Sequence, residues 1–229
     1  FAEARWLATR YEVKAGITDA EFTEILEHLR QIEVAEDLVS RLRVDKERRL
    51  VLDLKGTDVD SIDWVENLPL DVVDLTGTKV TDLRPLKGTP LQSVMLSGTP
   101  VIDLEPLRSE ALTHLQLSST LVSDLSALVG MPALTNLDIS LTDVTDLEPL
   151  RGLTKMRLLQ MKEIGAADLG PLVDMNLNSL NIMGCAAITS IEALRGMELE
   201  WLTMSFTGVV DLEPLADSRL RHVRMSGIP

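Results

Sequence analysis

Several residue types that commonly build active sites and disulfide frameworks are scarce in this chain. Among its 229 residues there are one cysteine and three histidines, and aromatic residues make up 3%. The single cysteine, Cys185, excludes a disulfide within the chain. The chain also lacks an N-x-S/T glycosylation acceptor and any apolar run long enough to cross a membrane. The composition favours a soluble chain without membrane insertion, and it leaves the compartment open between the cytoplasm and an exported, cell-surface location.

Positive charge is scarce as well. The chain has 22 Lys and Arg residues and 36 Asp and Glu residues, which gives a formal net charge of -14. A chain with this excess of negative charge is repelled by phosphate backbones and by anionic lipids. We therefore expect neither nucleic acid nor a membrane surface as a partner.

What the chain does have is a repeat. The pattern L-x-x-L-x-L-x-x-T-x-V-x-D-L-x-P-L recurs from about Leu50 to Pro229 at intervals of 21 or 22 residues. The repeats align on one apolar position, which is occupied by Leu54, Leu75, Leu96, Leu117, Ile139, Met161, Ile182, Met204 and Met225. A fixed period of this length is typical of a solenoid in which each repeat forms one coil.

Each repeat begins with the pattern of a short strand. Apolar residues stand at the aligned position and two residues before it, as Leu52 and Leu54 do in the first coil. This alternation points one face of the strand inward. Further inward residues follow the strand: Val59, Val80, Val101, Val122 and Val144, then Leu83, Leu104, Leu125, Leu147, Leu169 and Leu212. One coil cannot bury these side chains alone, so the coils are expected to stack with their strands in a parallel sheet.

The segment after the strand carries an Asp-Leu-x-Pro-Leu motif. The aspartate of this segment recurs in six coils, as Asp82, Asp103, Asp124, Asp146, Asp168 and Asp211, and alanine replaces the proline in the Asp124 coil. Aspartate can cap the free N–H groups of a short helical turn, and proline is tolerated in a first turn. A coil of 21 or 22 residues is too short for a long outer helix, so we predict 3-10 turns or single-turn helices. A calcium-binding ladder along this edge is the alternative, although the clustered oxygen ligands of such a site are missing.

These motifs resemble bacterial leucine-rich-repeat proteins with short D-L-x-P-L repeats, of the internalin type and of the kind found in planctomycete-like genomes. The resemblance covers residues 50–229 and implies an α/β repeat solenoid. Its right-handed superhelix would carry a parallel β-sheet on one face and 3-10 or short helical turns on the other. It also implies a role in protein recognition. The chain departs from the family where asparagine often closes the strand, because it carries Thr57, Thr78, Thr99, Thr120, Thr142 and Thr207. Their hydroxyls can still bond the turn backbone.

Residues 1–49 lack the repeat and show helical patterns. Thr18 and Glu21 form a capping-box motif, and Phe22, Ile25, Leu26 and Leu29 follow at the spacing of one helix face. A second helix is predicted from Val34, Leu38, Val39 and Leu42, and an earlier one from Trp6, Leu7 and Tyr11. We divide the chain into a helical N-terminal cap, 1–49, and a leucine-rich-repeat domain, 50–229, of about eight coils plus a truncated last one.

The cap interpretation has an alternative. Terminal coils of a solenoid need a shield for their apolar end, and a helical cap supplies it. An adaptor module is the other interpretation, because Ile25-Leu26-Glu27-His28-Leu29 weakly resembles an F-box. The usual proline and tryptophan markers of that motif are missing.

Candidate chemical groups are widely separated along the repeats. His114 and His222 occupy the same repeat position five coils apart, about 24 Å at the usual strand spacing. Cys185 stands at the inward position that threonine holds in other coils, which favours a buried structural thiol. No glycine-rich phosphate loop is present. Catalysis needs a cluster of reactive groups, so we expect no enzyme, no cofactor and no metal site.

The outward strand positions predict a partner surface. Most carry small or neutral residues, and the early coils carry Asp53 and Asp74. The later coils differ, because at these positions or one residue beyond they place Leu158, Lys162, Met183, Trp201, Phe206, His222 and Arg224. Aromatic residues and arginine are enriched at binding hot spots. We therefore predict that these residues bind a protein or peptide partner.

The predicted function is a non-catalytic protein–protein interaction scaffold or recognition module. Two alternatives remain from the sequence. The chain could be an architectural subunit of a larger complex, or the regulatory leucine-rich-repeat part of a multidomain signalling protein. The apolar residues of the later coils would, in the last case, pack against a following domain of the same chain.

Overall fold

Ten short strands lie side by side in the order in which they occur along the chain. This is seen in a computed structural model that describes residues 16–228. The strands are β1 Leu42–Val44, β2 Leu50–Asp53, β3 Val72–Asp74, β4 Ser93–Met95, β5 His114–Gln116, β6 Asn136–Asp138, β7 Leu158–Gln160, β8 Ser179–Asn181, β9 Trp201–Thr203 and β10 His222–Arg224. The helix predicted from Trp6, Leu7 and Tyr11 lies outside the described residues.

The register of the sheet follows the repeat. Strands β2 to β10 pair in parallel, and Leu52 lies opposite Val73, which lies opposite Val94. The same position continues through every coil to Val223. The residues at this position and at the aligned position are buried from β2 to β9. The parallel stacking of coils predicted from the period is confirmed.

On the opposite side of the solenoid, residues 16–228 form eight 3-10 turns, as expected from the coil length. They are Asp63–Val65, Arg84–Leu86, Glu105–Leu107, Ser126–Leu128, Glu148–Leu150, Gly170–Leu172, Glu192–Leu194 and Glu213–Leu215. In the first Asp-Leu-x-Pro-Leu motif, an Oδ1 oxygen of Asp82 accepts a hydrogen bond from the N–H of Arg84. The five other aspartates of this series make the same bond, at 2.7–2.9 Å. The aspartates therefore cap the turns from the position before the N-cap residue.

The threonines that close the strands are buried or half-buried and bond within their own coil. In the first repeat, the hydroxyl of Thr57 donates to the carbonyl oxygen of Leu54 at 2.7 Å. The other five, Thr78, Thr99, Thr120, Thr142 and Thr207, bond the corresponding carbonyl at 2.6–2.9 Å. The hydroxyl thus satisfies a backbone acceptor at the point where the chain leaves the sheet.

The N-terminal segment is helical only in part. Helix α1, Asp19–Gln31, begins with the predicted capping box, in which Thr18 and Glu21 bond each other's backbone N–H. Its residues Ile25 and Leu29 are buried. Helix α2, Glu36–Val39, is followed by β1, which pairs antiparallel with β2. The helical assignment of Leu42 is therefore wrong.

The strand forms because residues 41–44 alternate between exposed and inward side chains and can satisfy the open edge of β2. A tight turn connects the two strands. The carboxylate of Asp45 accepts hydrogen bonds from the N–H groups of Glu47 and Arg49 in that turn. Residues 16–49 thus contribute a sheet strand to the solenoid as well as two helices.

Candidate functional site

The outward side chains of the strands form columns that run across the sheet face, one residue per coil. Leu158, Ser179, Trp201 and His222 are consecutive members of one column, because the sheet pairs them in register. Arg224 belongs to the neighbouring column, opposite Thr203. Parallel pairing therefore brings together side chains that lie about 20 residues apart in sequence.

Trp201 and His222 form a stacked pair. Their ring centroids are 3.6 Å apart and their planes differ by 5°. The indole is nevertheless 50% exposed, because only one of its faces is covered by the imidazole. A large aromatic side chain is thus held in one orientation while it remains accessible from solvent.

A cleft of about 440 Å³ surrounds this pair. Of the seven residues predicted as the partner site, Trp201, His222 and Arg224 line it. Leu158 lies two strands from Trp201 in the same column, and Lys162, Met183 and Phe206 are not part of the lining. The structure thus places three of the predicted residues in the lining of one cleft. The other four lie outside the lining.

Eight further lining residues were not among the predicted ones: Gln160, Ser179, Asn181, Thr203, Arg221 and the inward strand residues Leu180, Leu202 and Val223. The first four are uncharged polar residues, which are common at the outward strand positions and therefore did not stand out in the sequence. Arg221 directly precedes β10, one position outside the columns that the period-2 pattern assigns to the sheet face. A search that included this position in every coil would have found it.

The floor of the cleft is fixed by hydrogen bonds between side chains. The Nδ2 group of Asn181 donates to Oε1 of Gln160 at 2.9 Å. The Oδ1 oxygen of Asn181 accepts from the N–H of Met183 at 3.0 Å. Because both ends of the Asn181 amide are engaged, its side chain forms a rigid polar floor between β7 and β9.

The charge of the cleft is opposite to that of the chain. Its lining includes Arg221 and Arg224 and no carboxylate. The guanidinium of Arg221 lies 3.6 Å from the carboxylate of Glu200, whereas Arg224 makes no ion pair within residues 16–228. At the other end of the same sheet face the strands carry Asp53 and Asp74. In the column of Arg224, carboxylates therefore occupy β2, β3 and, at Asp138, β6, and the cation stands on β10.

Beside the cleft, Phe206 has an unusual backbone. Its φ angle is +59°, in the left-handed region that disfavours bulky residues. Five coils carry glycine at this repeat position, and Gly227 is the one that follows Phe206. The ring of Phe206 lies against the Cα of Gly227, since a Cβ on that glycine would stand 2.5 Å from a ring carbon. The ring is still 59% exposed.

Lys162 and Met183 are half-buried beside the cleft, in neighbouring coils. The Nζ of Lys162 lies 3.0 Å from the carboxylate of Glu163, so its charge is locally balanced. Within residues 16–228 no group of three or more His, Cys, Asp or Glu residues is placed to hold a metal ion. The described helices include none that is long and apolar enough to span a bilayer. What the arrangement offers is contact area, hydrogen bonds and positive charge.

Neither a protein-family model nor a curated protein sequence matches the chain. Solved structures do match it. Internalin C2 from Listeria monocytogenes is 27% identical with a TM-score of 0.71, over 77% of this chain and 80% of that one. Internalin F from the same species is 21% identical with a TM-score of 0.69, over 93% of this chain and 65% of that one.

A plant protein shares the fold at lower identity. The leucine-rich-repeat ectodomain of the Arabidopsis receptor kinase HAESA, solved with a peptide hormone, is 15% identical with a TM-score of 0.59. The match covers 98% of this chain and 41% of that one. The chain is therefore a leucine-rich-repeat solenoid whose solved structural relatives include bacterial proteins of the internalin type, as its repeat motif predicts.

Proposed function

We propose that this chain is a protein–protein interaction module that binds a protein or peptide partner through the sheet face of its later coils. The observation that carries the proposal is the Trp201–His222 pair, a half-exposed indole held in one orientation by stacking. An aromatic side chain that is already ordered loses little conformational entropy on binding, so more of its contact energy contributes to affinity.

The surroundings of the pair favour the same function. Hot spots of protein interfaces are enriched in tryptophan and arginine and lie in pockets that water leaves on binding. Here Trp201 and Arg224 line one cleft, and the exposed ring of Phe206 lies beside it, three residues after the lining residue Thr203. Most other coils carry smaller polar side chains in these columns. The structural relatives support recognition as well, because the HAESA ectodomain was solved with a bound peptide hormone.

The experiment is capture of a partner from the source organism by the purified, immobilised chain, followed by mass spectrometry and by calorimetry with the purified partner. The double variant Trp201→Ser, Phe206→Ser should lose about 100-fold or more in affinity, the effect of removing one or two hot spots. The matched control is Leu121→Ser, Val210→Ser, which removes two other exposed apolar side chains outside the cleft.

Both double variants must keep the thermal unfolding midpoint of the parent chain, because all four side chains are exposed. Full affinity in the Trp201, Phe206 variant would place the partner surface elsewhere. Equal loss in both variants would indicate general apolar adhesion instead of a defined site.

A further inference from the structure

The cleft around Trp201 also indicates the chemistry of its partner, an inference that rests on the proposed function. Its lining contains two arginines and no carboxylate, in a chain whose formal net charge is -14. Such a local reversal of sign favours an acidic ligand group at this place, because complementary charge sets both specificity and the rate of encounter.

Arg224 is the cation best placed for this role. Arg221 has a carboxylate neighbour, Glu200, and Lys162 has Glu163. Arg224 makes no ion pair within the described residues, so its guanidinium can bond an incoming carboxylate without first breaking a bond to its own chain. Arginine binds a carboxylate in a two-pronged geometry, which adds direction to the contact.

The cleft offers an apolar position next to this cation. One face of the Trp201 indole lies on His222 in β10, so the other face is directed toward β8. There the column holds only Ser179, and the following residue in register is Leu158. Two strand spacings separate Leu158 from Trp201, about 10 Å. The gap above Ser179 is thus bordered by apolar groups and is wide enough for one side chain.

A long polyanion fits this face less well than a short acidic segment. The aspartates Asp53 and Asp74 stand at the other end of the sheet face, and they would repel a nucleic acid strand that followed it. A single carboxylate bound at Arg224 is screened from them, since the Debye length in physiological salt is about 8 Å.

We propose that the cleft binds an extended segment of a protein partner in which an acidic residue lies next to an apolar or aromatic one. The acidic side chain bonds Arg224, and the apolar side chain enters the gap above Ser179 against the free face of Trp201. Asn181 and Gln160 form the polar floor beneath the segment.

The test is a selection from a random ten-residue peptide library on the immobilised chain. The variant Ser179→Trp, which fills the gap, is used for depletion. Ser93→Trp is the matched control, because Ser93 occupies the same column in β4, far from the cleft. Peptides enriched on the parent chain and on Ser93→Trp but not on Ser179→Trp should carry Asp or Glu next to an aromatic or aliphatic residue.

The contribution of charge is then measured with one enriched peptide and its amide counterpart, in which Asp and Glu become Asn and Gln. Affinity should fall about tenfold in the amide peptide, and by a similar factor for the acidic peptide with Arg224→Gln. The variant Lys55→Gln, at the far end of the same face, should bind as the parent chain does. The two tenfold losses should not add, since both remove the same contact.

The outcomes distinguish the two proposals. Peptides bound equally by the parent chain and Ser179→Trp would overturn the cleft as the partner surface. Cleft-dependent peptides that are neutral or basic would leave the surface in place and overturn the acidic partner. A twelve-nucleotide single strand that competes with the enriched peptide at equal concentration would also overturn it, in favour of a nucleic acid ligand.

Discussion

The thiol of Cys185 donates a hydrogen bond to the carbonyl oxygen of Met161 in the preceding coil, with 2.9 Å between sulfur and oxygen. Cys185 is buried, and burial raises the pKa of its thiol. Because the thiolate is the reactive form, the folded chain should react with iodoacetamide at pH 8 at least about 100-fold more slowly than the chain in urea. Mass spectrometry of the labelled chain measures both rates. Rapid labelling under native conditions would contradict the structural role.

The raised pKa of Cys185 also predicts a dependence on pH. A thiol whose pKa is higher in the folded state stabilises the fold fully below the pKa of an exposed thiol, and this contribution is lost as the pH rises above it. The free energy of unfolding should therefore decline more steeply in the parent chain above about pH 9 than in Cys185→Thr. Threonine occupies this position in other coils, so the variant should fold. Urea titrations at pH 7 and pH 10 give the comparison.

The aspartates before the 3-10 turns lead to a second prediction. The Oδ1 oxygen of Asp146 accepts the N–H of Glu148 at 2.8 Å, and alanine would leave that donor without a protein partner. Asp146→Ala should lower the melting temperature by about 2–4 °C, the usual loss for a cap in a chain of this size. Asp146→Asn keeps the acceptor and serves as the control. Equal melting temperatures in the parent and alanine variants, measured by calorimetry, would remove the capping role.

Asp124 extends this prediction to the stability of the fold at low pH. The backbone N–H of Ser126, followed by its hydroxyl, holds the pKa of the Asp124 carboxyl below its usual value. A lowered pKa in the folded state means that the contribution is present above the pKa of an unfolded aspartate and is lost as the pH falls through the folded value. Below about pH 4, Asp124→Asn should therefore lose less stability than the parent chain. Parallel losses in the two chains would show that the bond does not favour the ionised form.

Most of the fold could be predicted from the repeat, because the period of a solenoid is set by residues that are close in sequence. Leu52, Val73 and Val94 could be placed opposite one another from sequence alone, since each coil repeats the same inward position. The strand Leu42–Val44 could not be predicted in this way. It spans three residues, and it forms because the antiparallel edge of β2 needs a partner, which is a tertiary requirement with little local pattern.

The candidate site was predictable in its columns but not in its contacts. Trp201 and His222 could be assigned to one column by spacing, yet the sequence does not fix the rotamers that stack them. Arg221 joined the cleft from a position that the strand period leaves out. The composition gives a net charge of -14, but a total charge does not show where the charges lie. The positive lining of the cleft could therefore not be predicted from it.

The docking of residues 1–49 as a cap remains a prediction, and Leu29 tests it. Leu29 is buried in the same core as Leu50 of the first coil, and Arg48 bonds the carbonyl oxygen of Ile17 at 2.8 Å. Leu29→Ala should lower the free energy of unfolding by about 2–5 kcal/mol. Ile32→Ala, at the exposed end of α1, should change it by less than about 0.5 kcal/mol. The measurement is urea unfolding followed by circular dichroism.

The shape of the transition decides between the two interpretations of the segment. A docked cap unfolds with the repeats, so Leu29→Ala should shift one cooperative transition to lower urea. An independent adaptor module would instead lose a small fraction of the signal early and leave the main midpoint unchanged.

The last prediction concerns Leu141, whose φ angle is +57° although it is neither glycine nor asparagine. A left-handed residue with a Cβ costs about 1–2 kcal/mol relative to the right-handed form. Leu141 is also 44% exposed, so its burial offsets little of that cost. Leu141→Gly should therefore be more stable than Leu141→Ala by about 1 kcal/mol, because both lose the isopropyl group and only alanine keeps the Cβ that causes the strain. The control is Ser118, the outward residue after β5, whose φ is not positive. There the order should reverse, with alanine more stable than glycine by about 0.5–1 kcal/mol, since glycine loses more backbone entropy on folding.

Thermal unfolding of the four variants measures both differences. If alanine were the more stable substitution at both positions, the left-handed position would carry no strain, and the tolerance of bulk at Leu141 and Phe206 would need another cause.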